Sequence, residues 1–359
     1  MTNEPKTSNQ SRTGPALKAV YACVAIVAAG AAVYAAVELG RRSTDLRSNP
    51  QRLCPPGQPC VLDTAGLRKT AQWMIKYRET GRIKTGMKDP RGIAAGREHG
   101  VWVVGDKRLV RFDAQGNQLS AVDLDAAAEC VAVADDGSVF LGMGDHVEVY
   151  KNGQRVARWG TFGTRTVITC ILPTASAIYV ADAGGAKILC CDKQGRLTTR
   201  PWIGLTDPAR NIPGLVVPSA HLDVAMAPDG LLRVNNPGRR KIEAYTVDGD
   251  LELSWGKSST DPEGFPGCCN PTDIAVLPDG KIIAADKGLP CVKVYESDGT
   301  FVGVVAGPEA FPEVGALTDV GSFAGLDLAV DGDRVLVLDP VRGDVIIFMP
   351  TEAASDEQE

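Results

Sequence analysis

The chain has 359 residues, of which 44% are hydrophobic and 23% are charged, a composition typical of a globular protein with ample material for a core. Residues 1–52 hold seven basic and three acidic side chains, so the rest of the chain holds 31 basic and 41 acidic ones, a net charge of −10. This negative body has no Gly-rich phosphate loop and no basic run interleaved with aromatic residues, which excludes nucleic acids and nucleotides as partners.

The first predicted element is one membrane-spanning helix. It follows a polar tail, 1–17, and occupies 18–38, where a charge-free apolar run extends from Ala19 to Val37. These 19 residues would extend about 28 Å as a helix, close to the thickness of the hydrocarbon core of a bilayer. A cleaved signal peptide is the alternative, because Val33-Tyr34-Ala35 could serve as a processing site. The short polar N-terminus and the cysteine-containing body favour a single-pass protein of a bacterial inner membrane, with its body on the extracytoplasmic side.

Segment 39–86 is predicted to be a stalk between this helix and the body. Within it, Cys54 and Cys60 enclose a short Pro-rich loop, which predicts a local disulfide in an oxidising compartment; free thiols and a metal clip are the alternatives. Tyr77 and Gly81 keep the spacing of Tyr295 and Gly299 in the body, so residues near 82–86 are expected to supply a strand that closes the following domain.

A repeated sequence motif defines the body, 87–350. Its clearest copy begins with Asp273-Ile-Ala-Val-Leu-Pro-Asp-Gly280. A second hydrophobic segment follows, and a third one ends at Tyr295. The equivalent ends of the third segments are Phe112, Tyr150, Cys191, Tyr245, Tyr295 and Phe348. Four short antiparallel strands every ~40–50 residues are typical of a propeller blade, and the lack of helical periodicity between strands argues against a solenoid. The sequence therefore predicts an all-β, six-bladed β-propeller, followed by a disordered acidic tail, 351–359.

This motif resembles the NHL repeat. The best matches are Asp89-Pro90-Arg91-Gly92-Ile93-Ala94, Asn270-Pro271-Thr272-Asp273-Ile274-Ala275 and Tyr179-Val180-Ala181-Asp182. Two departures are Cys191 in place of an aromatic residue and Asn235-Asn236 in place of Ala-Asp. The chain thus resembles a six-bladed NHL-repeat propeller of the bacterial membrane-anchored type, and the resemblance implies a ring closed by both ends of the domain.

Three carboxylates form the first candidate site. Asp223, Asp273 and Asp327 occupy the first position of three successive innermost strands, and His221 lies two residues before Asp223. If the carboxylates meet near the mouth of the central channel, they would repel one another unless they were protonated or bridged by a cation. A calcium or transition-metal ion is therefore one hypothesis, and turn residues that cap backbone groups are the alternative.

Cysteines form the second candidate site. Cys268, Cys269 and Cys291 are expected on one face of the disc, where Cys291 could bond one of the pair, either as a structural bridge or leaving one thiol free for metal or redox chemistry. By contrast, Cys190 and Cys191 are adjacent in a strand, so their side chains point to opposite faces and are predicted to serve in packing, as are Trp159 and Trp255.

No nucleophile with its base and no cofactor motif stands out, which favours a binding or scaffold module for a protein or a small molecule over an enzyme. The expected binding surface lies on one face of blades four to six and comprises Asn235, Asn236, Arg239, Arg240, Cys268, Cys269, Lys287 and Cys291. Two alternatives are a metal-dependent hydrolase or lyase with an ion at the channel mouth, and an accessory protein of a membrane redox complex that uses its cysteine cluster.

Overall fold

The structure, a computed structural model, describes residues 69–199, 202–311 and 325–351, all within one compact unit, Asp63–Glu359. None of the helices in these ranges is long and apolar enough to cross a membrane. The predicted tail 1–17, the predicted helix 18–38, Cys54 and Cys60 lie outside the described residues, as does the tail beyond 351.

The described residues form 23 strands in six separate sheets, which confirms the prediction of an all-β, six-bladed propeller. Blade 1 comprises β2 (Pro90–Ala95), β3 (Val101–Gly105), β4 (Arg108–Phe112) and β5 (Gln118–Asp123). Blade 2 comprises β6 (Cys130–Val133), β7 (Val139–Gly142), β8 (Val147–Lys151) and β9 (Gln154–Arg158). Blade 3 has three strands, β10 (Ile168–Pro173), β11 (Ile178–Asp182) and β12 (Lys187–Cys191).

The second half of the ring repeats this order. Blade 4 comprises β13 (Val224–Met226), β14 (Leu232–Asn236), β15 (Lys241–Tyr245) and β16 (Leu251–Trp255). Blade 5 comprises β17 (Asp273–Val276), β18 (Ile282–Asp286), β19 (Cys291–Tyr295) and β20 (Phe301–Ala306). Blade 6 comprises β21 (Asp327–Asp331), β22 (Arg334–Asp339), β23 (Asp344–Pro350) and, as its outermost strand, β1 (Tyr77–Lys84).

Strand β1 joins the two ends of the domain. It pairs antiparallel with β23, from Tyr77 opposite Pro350 to Lys84 opposite Asp344. The strand thus begins five residues before the segment 82–86 that the sequence indicated. The pairing covers the free edge of β23 and leaves no gap in the ring, since the first strands of the six blades neighbour one another all the way round.

Six apolar clusters hold the described blades together, and each cluster lies between two adjacent blades. The alternation along a strand determines which cluster a side chain joins. Cys190 packs between blades 3 and 4, whereas Cys191 packs between blades 2 and 3. The prediction that these two cysteines serve in packing on opposite faces is confirmed, and Trp159 and Trp255 also pack between blades.

Short polar turns connect the strands. In the Asp-Gly pairs of the motif the glycine has a positive φ, as at Gly137, Gly230 and Gly280. Glycine adopts this conformation without steric cost. The aspartate before it accepts the backbone N–H two residues further on, as Asp279 does from Lys281 at 3.0 Å. The repeated Asp-Gly is therefore a turn between the first and second strands. It lies on the face that we call the lower face, and the opposite face of the disc is the upper face.

Candidate functional site

A cavity of about 650 Å³ opens on the upper face at the mouth of the central channel. One residue from each blade builds its wall, at the position directly before the innermost-strand position occupied by Asp273 in blade 5. These six residues are Arg91, Glu129, Thr169, Leu222, Thr272 and Leu326. Because all six blades contribute, the cavity forms only when the ring is complete.

The floor of the cavity includes the three aspartates. Strand register aligns Asp223, Asp273 and Asp327 with Gly92, Cys130 and Cys170 of the other blades. Asp223, Asp273 and Asp327 line the cavity, as the sequence predicted for a channel mouth, and His221 lines it too. Half of this inner ring therefore carries carboxyl groups, while the opposite half carries a glycine and two thiols.

Two of the three aspartates link neighbouring blades. Asp223 Oδ2 accepts the backbone N–H of Ile274 in the next blade at 2.8 Å, and Asp327 Oδ2 accepts that of Ile93 at 2.7 Å. Asp223 also caps its own strand, because Oδ1 accepts the N–H of Val224 at 2.8 Å. These contacts are the backbone-capping role that the sequence offered as the alternative to a metal site.

Asp273 begins the innermost strand that lies between those of Asp223 and Asp327, and its carboxyl group interacts with both of theirs. Desolvation at the bottom of the cavity and the charges of Asp223 and Asp327 raise the pKa of Asp273 well above its usual value. Burial raises the pKa of Asp327 to about 6, although the hydrogen bond from Asp273 opposes this shift. The raised pKa favours the protonated form of Asp273, whose O–H can donate a hydrogen bond to the Asp327 carboxylate.

A bridging cation fits this arrangement poorly. Both carboxylate oxygens of Asp223 accept backbone N–H groups, and so does Oδ2 of Asp327. Within the part of the chain that the structure describes, no three His, Cys, Asp or Glu side chains are arranged to hold a metal ion. The residues present therefore do not match a preformed calcium or transition-metal site.

Cationic groups also line the wall of the cavity. Lys287 donates from Nζ to Ser219 Oγ at 3.2 Å and is half-buried. Arg91 forms ion pairs with Asp89, at 2.8 Å, and with Glu129. The wall thus presents ammonium and guanidinium groups within the same cavity as the aspartates, so it offers both donors and acceptors to a ligand.

The residues that the sequence placed on a binding surface separate into different environments. Lys287 lines the channel-mouth cavity and Cys291 lines another cavity, whereas Asn235 and Asn236 have no exposed surface. Asn235 accepts the N–H of Asp223 at 2.6 Å, and Asn236 accepts that of Val216 at 2.9 Å. Both amides therefore hold loops in place and lie out of reach of a partner.

Two arginines of the expected surface also bind the backbone of their own blade. Arg239 donates to the carbonyls of Gly214 and Pro213, and Arg240 donates to that of Gly238 at 2.9 Å. Arg239 is exposed and Arg240 is half-buried.

Cysteines 268, 269 and 291 are all free thiols, so the predicted bridge from Cys291 is absent. Cys268 is exposed, Cys269 is buried, and their sulfur atoms are 3.2 Å apart. Cys291 begins β19 and is held opposite Asp286 by strand pairing, where its side chain lines a cavity that neither Cys268 nor Cys269 reaches. The expected cluster of three thiols is therefore a pair and a separate buried thiol.

Sequence reasoning missed Arg91, Glu129, Thr169 and Thr272 as cavity residues. They could have been found by inspecting one position earlier in each repeat. Each of them directly precedes the residue at the aspartate position of its own blade. Arg91 and Thr169 occur where the register between the first two strands shifts, a local bulge that the hydrophobic pattern does not reveal.

Comparisons with known proteins support the fold and no closer relationship. No family model matches the chain, and no curated protein matches it. A virginiamycin B lyase from Staphylococcus aureus matches 77% of this chain and 100% of its own, with 14% identity and a TM-score of 0.53. A gluconolactonase from Xanthomonas campestris matches 77% of this chain and 94% of its own, with 16% identity and a TM-score of 0.53.

A protein of unknown function from Bacteroides thetaiotaomicron is similar over 73% of this chain and 70% of its own, with 18% identity and a TM-score of 0.55. At these identities the likeness shows the fold alone. The chain is thus a six-bladed β-propeller protein with a polar cavity at its channel mouth, and its likeness to NHL repeats stays a prediction.

Proposed function

We propose that the protein is a membrane-anchored, extracytoplasmic binding module whose channel-mouth cavity takes a small polar molecule. The observation that carries the proposal is the cavity of about 650 Å³, to which all six blades contribute. This volume lies within the range of about 300–1,000 Å³ that is typical of small-molecule sites. Membrane anchoring and export rest on the apolar run from Ala19 to Val37.

The chemistry of the wall restricts the ligand. The half-buried Lys287 ammonium favours an anionic or hydrogen-bond-accepting group. The carboxyl groups on the floor favour hydroxyl or amine donors. A compact molecule with both kinds of group, such as a sugar acid or an amino acid, matches this distribution, whereas an apolar molecule would displace water from the carboxyls and the ammonium without replacing its hydrogen bonds.

The direct test is thermal unfolding of the full chain with neutral sugars, sugar acids and amino acids, followed by calorimetric titration of any class that raises Tm. We expect one polar class to bind wild type and to lose at least tenfold in affinity with Lys287→Met. Lys281→Met is the matched control, because Lys281 lies in the same blade on the lower face, paired with Asp279. Binding by no class, or equal binding by the Lys287 variant, would refute the proposal.

A metal-dependent hydrolase or lyase is the alternative. Asp223, Asp273 and Asp327 share one cavity, although their backbone contacts leave no preformed metal site. Two of the similar structures are a lyase and a gluconolactonase, but they resemble this chain only in fold. Elemental analysis of wild type, Asp273→Ala and Cys268→Ser/Cys269→Ser separates the hypotheses. A stoichiometric metal lost only with Asp273→Ala would favour the hydrolase or lyase, and one lost only with the cysteine variant would favour redox chemistry at the thiol pair.

A further inference from the structure

Two adjacent cysteines, Cys268 and Cys269, lie in the loop that leads into the innermost strand of blade 5. Their sulfur atoms are 3.2 Å apart, and Cys268 is exposed whereas Cys269 is buried. Free cysteines that serve in packing are buried, so packing does not explain an exposed thiol in contact with a second one. Neither cysteine belongs to the wall of the channel-mouth cavity.

The amide of Asn270 fixes the ends of the short segment that carries the two cysteines. Its Nδ2 donates to the carbonyl oxygens of Pro266, at 2.7 Å, and Lys287, at 3.1 Å, and its Oδ1 accepts the N–H of Lys287 at 2.9 Å. Gly267, directly before the pair, has a positive φ, and nothing lies within 4 Å of the place that a Cβ would take. The pair is therefore held together at its ends and has room to adjust at Gly267.

The geometry around the pair does not match a metal site. Thiolate-bound metal ions take further protein ligands beside two sulfur atoms. Within the described ranges, no third His, Cys, Asp or Glu side chain joins the two thiols in an arrangement that could hold an ion. Two thiols in contact can instead be oxidised to a disulfide by exchange with another disulfide.

A disulfide between two residues adjacent in sequence is strained. Consecutive Cα atoms are about 3.8 Å apart across a trans peptide bond, whereas those of bridged cysteines are usually about 4.4–6.8 Å apart. Strain and exposure both make a disulfide easier to reduce than a buried structural one. A bond between Cys268 and Cys269 would therefore form and open readily as the redox conditions change.

We propose that Cys268 and Cys269 exchange reversibly with small-molecule disulfides and close to a vicinal disulfide when they are oxidised. The exposed Cys268 attacks one sulfur of the small disulfide as a thiolate and releases the first small thiol. The sulfur of Cys269 then attacks that of Cys268 and releases the second small thiol. Two electrons pass from the pair to the small disulfide, and the two cysteine protons are balanced by those of the two released thiols. The site is independent of the function proposed for the channel mouth.

The electrostatic environment favours slow exchange. The hydrogen bond with Cys269 and burial raise the pKa of the Cys268 thiol, although the Lys287 ammonium opposes this shift. Only a small fraction of Cys268 is then thiolate, the reactive form, at neutral pH. The pair is thus suited to equilibrate with its surroundings and not to turn over as a fast catalyst.

The test incubates the full chain with oxidised glutathione, alkylates the remaining thiols and maps tryptic peptides by mass spectrometry. Cleavage after Lys257 and Lys281 yields peptide 258–281, in which Cys268 and Cys269 are the only cysteines. We expect this peptide to lose two hydrogen atoms, to carry no glutathione and to regain both thiols in excess reduced glutathione. Cys291, in peptide 288–293, is the internal control and should stay reduced because it is buried.

Two single variants separate a working pair from one reactive thiol. Cys269→Ser should keep glutathione bound to Cys268, because no second thiol displaces it. Cys268→Ser should react at least about tenfold more slowly than wild type, because the remaining thiol is buried. A glutathione adduct that persists on Cys268 of wild type, or no reaction of peptide 258–281, would overturn the proposal. A disulfide that excess reduced glutathione leaves closed would be a structural bond and would overturn it too.

Discussion

The indole of Trp255 in blade 4 packs against Gly299 in blade 5 so closely that a Cβ on the glycine would lie 2.4 Å from Trp255 Cδ2. Trp159 of blade 2 makes the same contact with Gly195 of blade 3, where a Cβ would lie 2.1 Å from the ring. Both glycines also have a positive φ, because each lies in the turn after a third strand. The tryptophan at the end of one blade thus fixes its distance to the next.

The first prediction concerns this contact. Gly299→Ala combines a strained φ with a clash, so it should lower the free energy of unfolding by about 2–5 kcal/mol. Gly137→Ala is the control, because Gly137 has a similar φ but nothing within 4 Å of the added Cβ, and it should cost only about 1 kcal/mol. Denaturant unfolding of both variants measures the difference, and equal losses would mean that the indole moves aside.

The second prediction concerns ring closure. Ile83 in β1 is buried between blades 6 and 1, so Ile83→Ala should lower the free energy of unfolding by about 2–5 kcal/mol. Val156→Ala in the outer strand β9 is the control, since Val156 is 60% exposed and its loss should cost little. If the two variants unfold at the same denaturant concentration, β1 does not contribute to the stability of the ring.

The third prediction concerns the pH dependence of stability. Burial raises the pKa of Asp327 to about 6 from its usual 3.8, so the folded state holds the proton more tightly than the unfolded chain does. The stability from this group is therefore full below about pH 4 and is lost as the pH rises towards 6. Asp327→Asn stays neutral and keeps an oxygen for the N–H of Ile93, so its stability should gain on wild type by on the order of 1–3 kcal/mol between pH 4 and pH 7.

Denaturant unfolding of both proteins from pH 4 to pH 7 provides the measurement. Asp298→Asn serves as the control, because hydrogen bonds from Thr300 hold the pKa of Asp298 below its usual value of 3.8. The stability from Asp298 is therefore fully present above about pH 4 and lost below it, so this variant should stay parallel to wild type over the measured range. Parallel curves for wild type and Asp327→Asn would show that Asp327 titrates normally.

The fourth prediction concerns the buried pair in blade 5. Asp286→Asn leaves the Lys293 ammonium buried without a counter-charge, which should lower the free energy of unfolding by about 3–5 kcal/mol. Asp279→Asn removes one partner of the exposed pair with Lys281 and should cost at most about 1 kcal/mol. A loss for Asp286→Asn as small as that of the control would mean that water already solvates Lys293.

The fold was predictable because its signals are local. The Asp-Gly turns and the third-strand residues from Phe112 to Phe348 all lie in the strands and turns that the repeat assigned to them. Blade 3, where Cys191 replaces the usual aromatic residue, is also the blade with three strands, and among the described residues isolated bridges such as Ile188 to Ile203 follow β12. The weak repeat and the incomplete sheet coincide in the segment after Cys191.

Site residues at equivalent positions of the repeat could be predicted from the sequence. Residues whose environment depends on contacts between blades could not. Equivalent positions brought Asp223, Asp273 and Asp327 to one cavity. The sequence could not show that Asn235 and Asn236 are buried, because the amides of exposed loops and of buried caps look alike in composition. Nor could it show that Asp286 pairs with Lys293, because an ion pair between two strands leaves no signal in the repeat.

The pairing of β1 with β23 limits when the domain can finish folding during synthesis. The ribosome delivers β1 before any blade and β23 after all the others, so blade 6 cannot be completed until nearly the whole chain has emerged. Until then an arc of the first five blades would expose the apolar faces of blades 1 and 5 that pack against blade 6, and exposed apolar surface promotes association. The pairing of β23 with β1 therefore ends the period in which a newly made chain is prone to association.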